Sequence, residues 1–424
     1  MLLKRIVLCI GAACLLLLGV SLYKYASVTE RIYAPARAPV WEAPDSRHAA
    51  ERLAAAIRFR TIAALDGAPQ APADFTAFQN YLTVAFPRAH QALGLRKVNG
   101  HGLLYTWPGR DRTAAPAIFL GHYDVVPADE SAWSVPPFKG VVQDSFIWGR
   151  GALDDKGGVL GLLEAVEGLA RAGFQPNRTI YFAFGFDEEV GGRNGAANIA
   201  RLLAEDGVRA AFVLDEGPTI TVGVAPGVAR PVALVAVAEK GRATYRLTAT
   251  GAAGHSSAPP FKTSIGRLSH AVTDLIDHQP RPRYSGLTAG MFLTLAPDLP
   301  LAERFVVANA WATRPLLSWV LGGDPALAAF LRTTTAPVFL SAGDGTQNVV
   351  PGEAQAIVDF RIAHSDSLEA LQRRVEAAAK PYHVSVERLE GAIAPTPIAD
   401  TDNDAFAAIA GAIRYAFPDV IIAS

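Results

Sequence analysis

Three continuous apolar runs, residues 117–120, 179–186 and 211–214, each end in a polar cluster, and this recurrence constrains the fold more than any other feature of the chain. Runs without polar alternation are the pattern of strands buried on both faces. Between the first two, Val159, Leu160, Leu162, Leu163, Val166 and Leu169 recur at the spacing of an amphipathic helix that Gly173 closes. Strand–helix–strand order predicts an α/β fold, a mostly parallel sheet with helices on its faces. Ligands in open α/β sheets gather at the carboxyl ends of strands, so the three clusters are expected to meet in space.

The first cluster holds His122 and Asp124. A lone histidine at a strand end is more often structural than a ligand. Here an acid two residues on shares its side of an extended segment. Asp124 then accepts the imidazole proton and fixes the tautomer of His122, the usual arrangement behind a metal-bound histidine. The second cluster holds Asp154 and Asp155 ahead of Lys156-Gly157-Gly158. A capped helix start explains one of these acids and not both. A carboxylate aimed from this turn is suited to bridge two metals. The third is Asp187-Glu188-Glu189. A solvated loop is the plain explanation for it. A nearby dication gives a stronger one, in which one glutamate binds metal and its neighbour takes a proton from water. Asp215-Glu216 supplies a fourth acidic point. Two zinc ions ~3.5–4 Å apart would clamp the attacking and departing oxygens. Both cysteines, Cys9 and Cys14, lie in the N-terminal apolar run, so metal elsewhere must be held by His, Asp and Glu.

The 424 residues suit two or three domains, and a net charge of -1 gives no reason to expect nucleic acid as a partner. Lys4 and Arg5 precede an apolar run over 6–20 that Leu22 and Tyr23 extend. This predicts a single-pass transmembrane anchor over 1–30, with the catalytic part on the extracytoplasmic side. A cleaved signal peptide is the competing reading. Residues 31–48 read as a linker, and residues 49–230 as the first part of a catalytic domain. The texture changes near Pro231, where 232–237 and 244–250 look like antiparallel strands, 265–276 like a helix and 354–362 like a strand. Residues 286–335 read as a helical excursion. A smaller α+β domain is therefore expected over 231–364, inserted into the first, with the catalytic domain resuming over 365–424 and a last strand at 419–423.

The clusters together resemble the M20 family of zinc metallopeptidases and aminoacylases. The resemblance runs from about Ala49 to the C-terminus and rests on His122–Pro127, on Trp133 with Pro136-Pro137-Phe138 leading into 149–158, and on 187–192. Arg332-Thr333-Thr334-Thr335 is similar to the carboxypeptidase S-like branch, which includes membrane-anchored or secreted N-acyl-amino-acid hydrolases. The resemblance implies two Zn2+ ions and an amide substrate, a peptide or an N-acyl amino acid, cut beside a free carboxylate. It implies that His122 binds one zinc with Asp124 orienting it, that Asp154 bridges both metals through a cis peptide to Asp155, and that Glu188 is the general base. Glu189 would hold the second zinc and Asp215 the first, with Glu216 the alternative. The inserted domain would be the family's lid. In it His255 would hold the scissile carbonyl oxygen, Asn348 and Arg361 would grip the carboxylate, and dimerisation would occur. The family's last zinc ligand is a histidine late in the catalytic domain, yet none of the nine histidines follows His383. The chain is therefore expected to be C-terminally truncated. A catalytically inactive, membrane-tethered binding protein that keeps the carboxylate pocket is the opposing reading.

Overall fold

The computed structural model describes residues 2–37, 45–65, 67–223 and 227–424, with backbone alone for 2–11 and 13. The chain divides into two units, 37–217 and 1–36 together with 218–424. It begins with helix α1, Leu2–Ser27, which belongs to the second of these. Part of the anchor expected over 1–30 thus lies outside the described side chains. Among the described residues no helix is long and apolar enough to cross a membrane.

The unit 37–217 opens with α2 (Ser46–Ile57), α3 (Pro72–Ala85) and α4 (Pro87–Ala92), then strands β1 (Gly94–Val98), β2 (Gly102–Trp107) and β3 (Ala117–His122). A small hairpin, β4 (Val141–Gln143) and β5 (Phe146–Trp148), leads to α5 (Lys156–Arg171), β6 (Ile180–Gly185), α6 (Ala196–Glu205) and β7 (Phe212–Leu214). The five-stranded sheet runs β1-β2-β6-β3-β7. Of the three strands expected from the apolar runs, β3 lies between β6 and β7 and pairs parallel with both. The sheet as a whole is mixed rather than mostly parallel, because β1 and β2 pair antiparallel with each other and β2 pairs antiparallel with β6. The cause is local. Asn99 and Gly100 take φ of 48° and 77°, the left-handed turn that an Asn-Gly pair favours in a hairpin. One core layer packs Phe78, Leu82 and Phe86 with Leu163, Val166 and Phe184. Another packs Ile199 and Leu203 of α6 with Leu104, Ile118 and Ala183. Helices thus cover both faces, which is why β3 and β6 carry few polar residues.

In the other unit, β8 (Ile220–Thr221) and β9 (Val232–Leu234) precede β10 (Gly241–Thr250), β11 (Gly254–His255) and α7 (Ser264–Asp277). Helices α8 (Gly286–Leu295), α9 (Leu301–Ala308), α10 (Ala310–Leu321) and α11 (Pro325–Leu331) form the expected excursion. Then come β12 (Thr334–Ala342), β13 (Val349–Val350), β14 (Glu353–Ile362), α12 (Leu368–Ala379), β15 (Ser385–Arg388), α13 (Asp404–Ala416) and β16 (Ile421–Ala423). An antiparallel sheet β12-β14-β10-β15 buries Tyr245, Leu247, Val358 and Phe360 against Leu268 and Leu275 of α7 and Leu371 and Val375 of α12.

Two expected boundaries move. Strand β9 does not join this sheet; it pairs parallel with β16 and antiparallel with β8. At the other end, α12 and β15 complete the four-stranded layer, so it continues past 364 to Arg388. Val384 and Val386 pack into its core, and strand pairing so distant in sequence leaves no local signal. Of the expected linker 31–48, residues 38–44 lie outside the described residues. Tyr33 packs on Phe406, and the Ala36 N–H donates to the Gly411 carbonyl at 2.8 Å, so this stretch is held against α13.

Candidate metal centre

β3 delivers His122 at its carboxyl end, opposite Gly185 of β6, with a side chain only 2% exposed. Nδ1 lies 3.1 Å from the Asp124 carbonyl and 3.3 Å from Asp124 Oδ1. Nε2 faces three acids: Asp154 Oδ1 at 2.8 Å, Glu216 Oε1 at 3.3 Å and Glu188 Oε2 at 3.9 Å. Burial lowers the proton affinity of the imidazole. The hydrogen bonds and charges of Asp124 and Glu216 outweigh burial and lift its pKa to about 12. A side chain so surrounded by carboxylates marks a place built for positive charge.

The turn before α5 splits the two adjacent aspartates. Asp155 is buried and caps the helix; Oδ1 accepts the Gly158 N–H at 3.1 Å and Oδ2 the His122 N–H at 3.3 Å. Burial raises its pKa to about 7, the Glu216 charge adds to this and His122 opposes it. Asp154 is left 65% exposed and facing His122, and the peptide between the two is cis, as expected. Gly121 makes this approach possible, since a Cβ there would lie 2.9 Å from Asp155 Oδ2.

Asp124 is fully buried, and besides facing His122 it holds the third cluster. Its Oδ1 accepts the Glu188 N–H and its Oδ2 the Glu189 N–H, both at 3.1 Å. Asp187 turns inward and accepts the N–H groups of Asn194 and Gly195 at 2.7 and 2.8 Å. Only Glu188 and Glu189 of the three acids face outward. Burial raises the pKa of both; His122 opposes the rise at Glu188, and the Asp154 charge adds to it at Glu189.

His122, Asp154 and Glu216 bring one ligand atom each to within 4.8 Å of one another. A buried imidazole oriented through its other nitrogen, with two carboxylates opposite, is a donor set that fits a divalent cation such as Zn2+. Asp215 is not in this group; its carboxylate accepts the N–H of Glu216 at 2.9 Å. Glu216, the alternative to Asp215, is the acid of this pair that faces His122. Glu188 Oε2 lies 3.9 Å from His122 Nε2, and the Glu189 N–H shares the Asp124 carboxylate with that of Glu188.

His255, Asn348 and Arg361 belong to the other unit. The ladder of β11 with β13 sets His255 opposite Val349, and the Ser256 N–H donates to the Asn348 carbonyl at 2.9 Å, so these two segments are adjacent. His255 Nδ1 lies 2.8 Å from Ser257 Oγ. Arg361 lies on β14, 57% exposed, its Nε 3.3 Å from Asp359 Oδ2.

Lys156 is a further buried group at the turn before α5. Its side chain is fully buried next to Asp155, and Nζ donates to the carbonyls of Ala56 and Phe59 at 3.2 and 2.6 Å. The lysine therefore ties the end of α2 to the start of α5.

The family model described as peptidase family M20/M25/M40 matches residues 118–422. Among curated relatives, the probable carboxypeptidase S-like 2 of Dictyostelium discoideum is 38% identical over 88% of this chain and 73% of its own. The N-fatty-acyl-amino acid synthase/hydrolase PM20D1 of Homo sapiens is 36% identical over 81% of this chain and 69% of its own. Among solved structures, human carnosine dipeptidase 1 aligns with a TM-score of 0.63 at 17% identity, covering 89% of this chain and 84% of that one. A metallo-carboxypeptidase of Sulfolobus solfataricus aligns with a TM-score of 0.62 at 20% identity, covering 89% and 85%. At such identities the structural likeness speaks for the fold.

Proposed function

The chain belongs to peptidase family M20/M25/M40, and from that premise we propose that it is a zinc-dependent amide hydrolase cutting beside a free amino-acid carboxylate. The observation that carries the reading is the convergence of His122, Asp154 and Glu216 on one point, with Asp124 tying that histidine to the Glu188 turn. Zn2+ held by these three side chains would supply Lewis acidity toward a carbonyl oxygen and lower the pKa of water beside it. Glu188 takes the proton of the attacking water and hands it to the leaving amine. Its raised proton affinity suits both halves of that transfer. Asp124 holds the imidazole and the glutamate turn in one frame. A second Zn2+ would rest on Asp154 and Glu189.

The relatives' names, a probable carboxypeptidase and an N-fatty-acyl-amino acid synthase/hydrolase, share an amide next to an amino-acid carboxylate. We carry that shared chemistry to this chain. His255, Asn348 and Arg361 of the other unit are proposed as substrate-binding residues, with Arg361 suited to pair with a carboxylate through two hydrogen bonds. β12 exposes Val338, Phe339 and Leu340 along the edge of its sheet, which suits a homodimer formed edge to edge. The N-terminal apolar run is proposed as a membrane anchor with the remainder extracytoplasmic. The binding-protein alternative has no observation in its favour.

The test is zinc content together with hydrolysis of N-acyl amino acids and of a dipeptide with a free C-terminus, in the parent chain and in Glu188→Gln. Bound zinc in both, with turnover only in the parent, is expected. Absence of zinc and of Glu188-dependent turnover on either substrate class would sink the reading.

A further inference from the structure

Helix α10 is amphipathic in the wrong direction for a water-facing helix. Trp311, Pro315 and Trp319 form one stripe at four-residue spacing, and Ala312, Leu316 and Val320 form the stripe beside it; all six are exposed. Trp311 is 51% exposed and Trp319 77%. The inner side is satisfied: Leu317 is buried, the Thr313 hydroxyl donates to the Val306 carbonyl and Ser318 Oγ accepts the Tyr284 N–H. The only charged residue of α10 is Arg314.

The Trp311 end of this face lies near α1, whose Lys24 lines one pocket with Trp311. Tyr25 of α1 packs on Phe305 of α9 with ring centroids 6.2 Å apart, and the Arg304 guanidinium covers Tyr25. Buried Asn309, between α9 and α10, donates from Nδ2 to the Ser21 carbonyl at 3.2 Å and accepts the Trp311 indole N–H at 3.1 Å. Just before Ser21, the consecutive residues Leu15, Leu16, Leu17 and Leu18 are all at least 50% exposed. At 3.6 residues per turn, four successive leucines point to every side of a helix. A protein partner covers one side; only an apolar medium covers them all. Indoles favour the boundary between such a medium and water.

We infer that the outward face of α10 rests on a lipid surface, with Trp311 and Trp319 at headgroup depth, where α1 leaves the fold. This stands apart from the hydrolase reading and shares only the medium with the anchor proposal. The experiment reconstitutes the full chain in phosphatidylcholine vesicles with and without acyl-chain bromines at the 6,7 position, and reads tryptophan quenching in the parent and in W311F/W319F. Phenylalanine keeps most of the bulk, and W319F alone serves if the double variant fails to fold. Quenching in the parent that is mostly lost in the variant is the expected result. Equal quenching in both, or none in the parent, overturns the inference. So does a cross-linked dimer that W319R dissociates, which would assign the face to a second copy. Alkaline extraction reports the anchor separately: a chain that is released, yet quenched only when both indoles are present, sinks the anchor and keeps the α10 surface.

Discussion

Asp124 accepts the backbone N–H of Glu188 through Oδ1 at 3.1 Å while the same oxygen lies 3.3 Å from His122 Nδ1. One buried carboxylate therefore fixes a candidate ligand and the candidate base together. In Asp124→Asn one of the two carboxylate oxygens becomes an NH2 group, which cannot accept the N–H groups it would face. Hydrolysis is expected to fall ~10–100-fold with weakened metal binding, measured by steady-state kinetics and chelator competition. Unchanged values for both would separate Asp124 from the site.

Glu216, rather than Asp215, lies beside His122. Glu216→Gln is expected to lower zinc affinity at least ~10-fold, as loss of a group that holds a metal in place does. Asp215→Asn should retain the metal. Zinc titration of the two variants decides between the acids, and the reverse order would restore Asp215.

Gly121 has no room for a side chain. A Cβ there would lie 2.9 Å from Asp155 Oδ2 and 3.2 Å from Val159 Cγ2. Gly121→Ala should cost ~1–3 kcal/mol of stability, as overpacking does. It should also weaken metal binding, because Asp155 must shift away from the His122 amide. Thermal unfolding and zinc titration check both expectations.

Burial lowers the Lys156 pKa from 10.5 to about 7, while the charges of Asp74 and Asp124 oppose the fall. Between those values the unfolded chain binds a proton that the folded chain does not. This contribution to stability therefore rises with pH above about 7, is complete above 10.5, and is lost as pH falls through 7. From pH 7 to 9 the parent is expected to gain on the order of 1–3 kcal/mol from this group, at ~1.4 kcal/mol per pKa unit. Lys156→Met should lack that rise while being less stable at both pH values, since the Ala56 and Phe59 carbonyls each lose one of their donors. Denaturant unfolding at the two pH values measures the difference.

Much of the first unit was legible from the chain. The apolar runs became β3, β6 and β7, and the leucine and valine spacing after Gly157 became α5, because burial on two faces and on one stripe leave different periods. The β1–β2 hairpin has a local signal, Asn99-Gly100. In the second unit, β10 showed its alternation, but membership of sheets did not show. β9 pairs with β16, nearly two hundred residues on, and β15 with β10 across more than one hundred.

The sequence by itself determined which residue types end the strands, and hence that histidine and carboxylates meet at one sheet edge without cysteine. It did not determine which member of each acidic pair faces the centre. Asp154 rather than Asp155, and Glu216 rather than Asp215, point to His122. Neighbouring residues of one chemistry are interchangeable in a string of letters. The turns after β5 and β7 aim one carboxylate of each pair at the imidazole and give the other a backbone amide to hold, and those directions exist only once the strands are assembled.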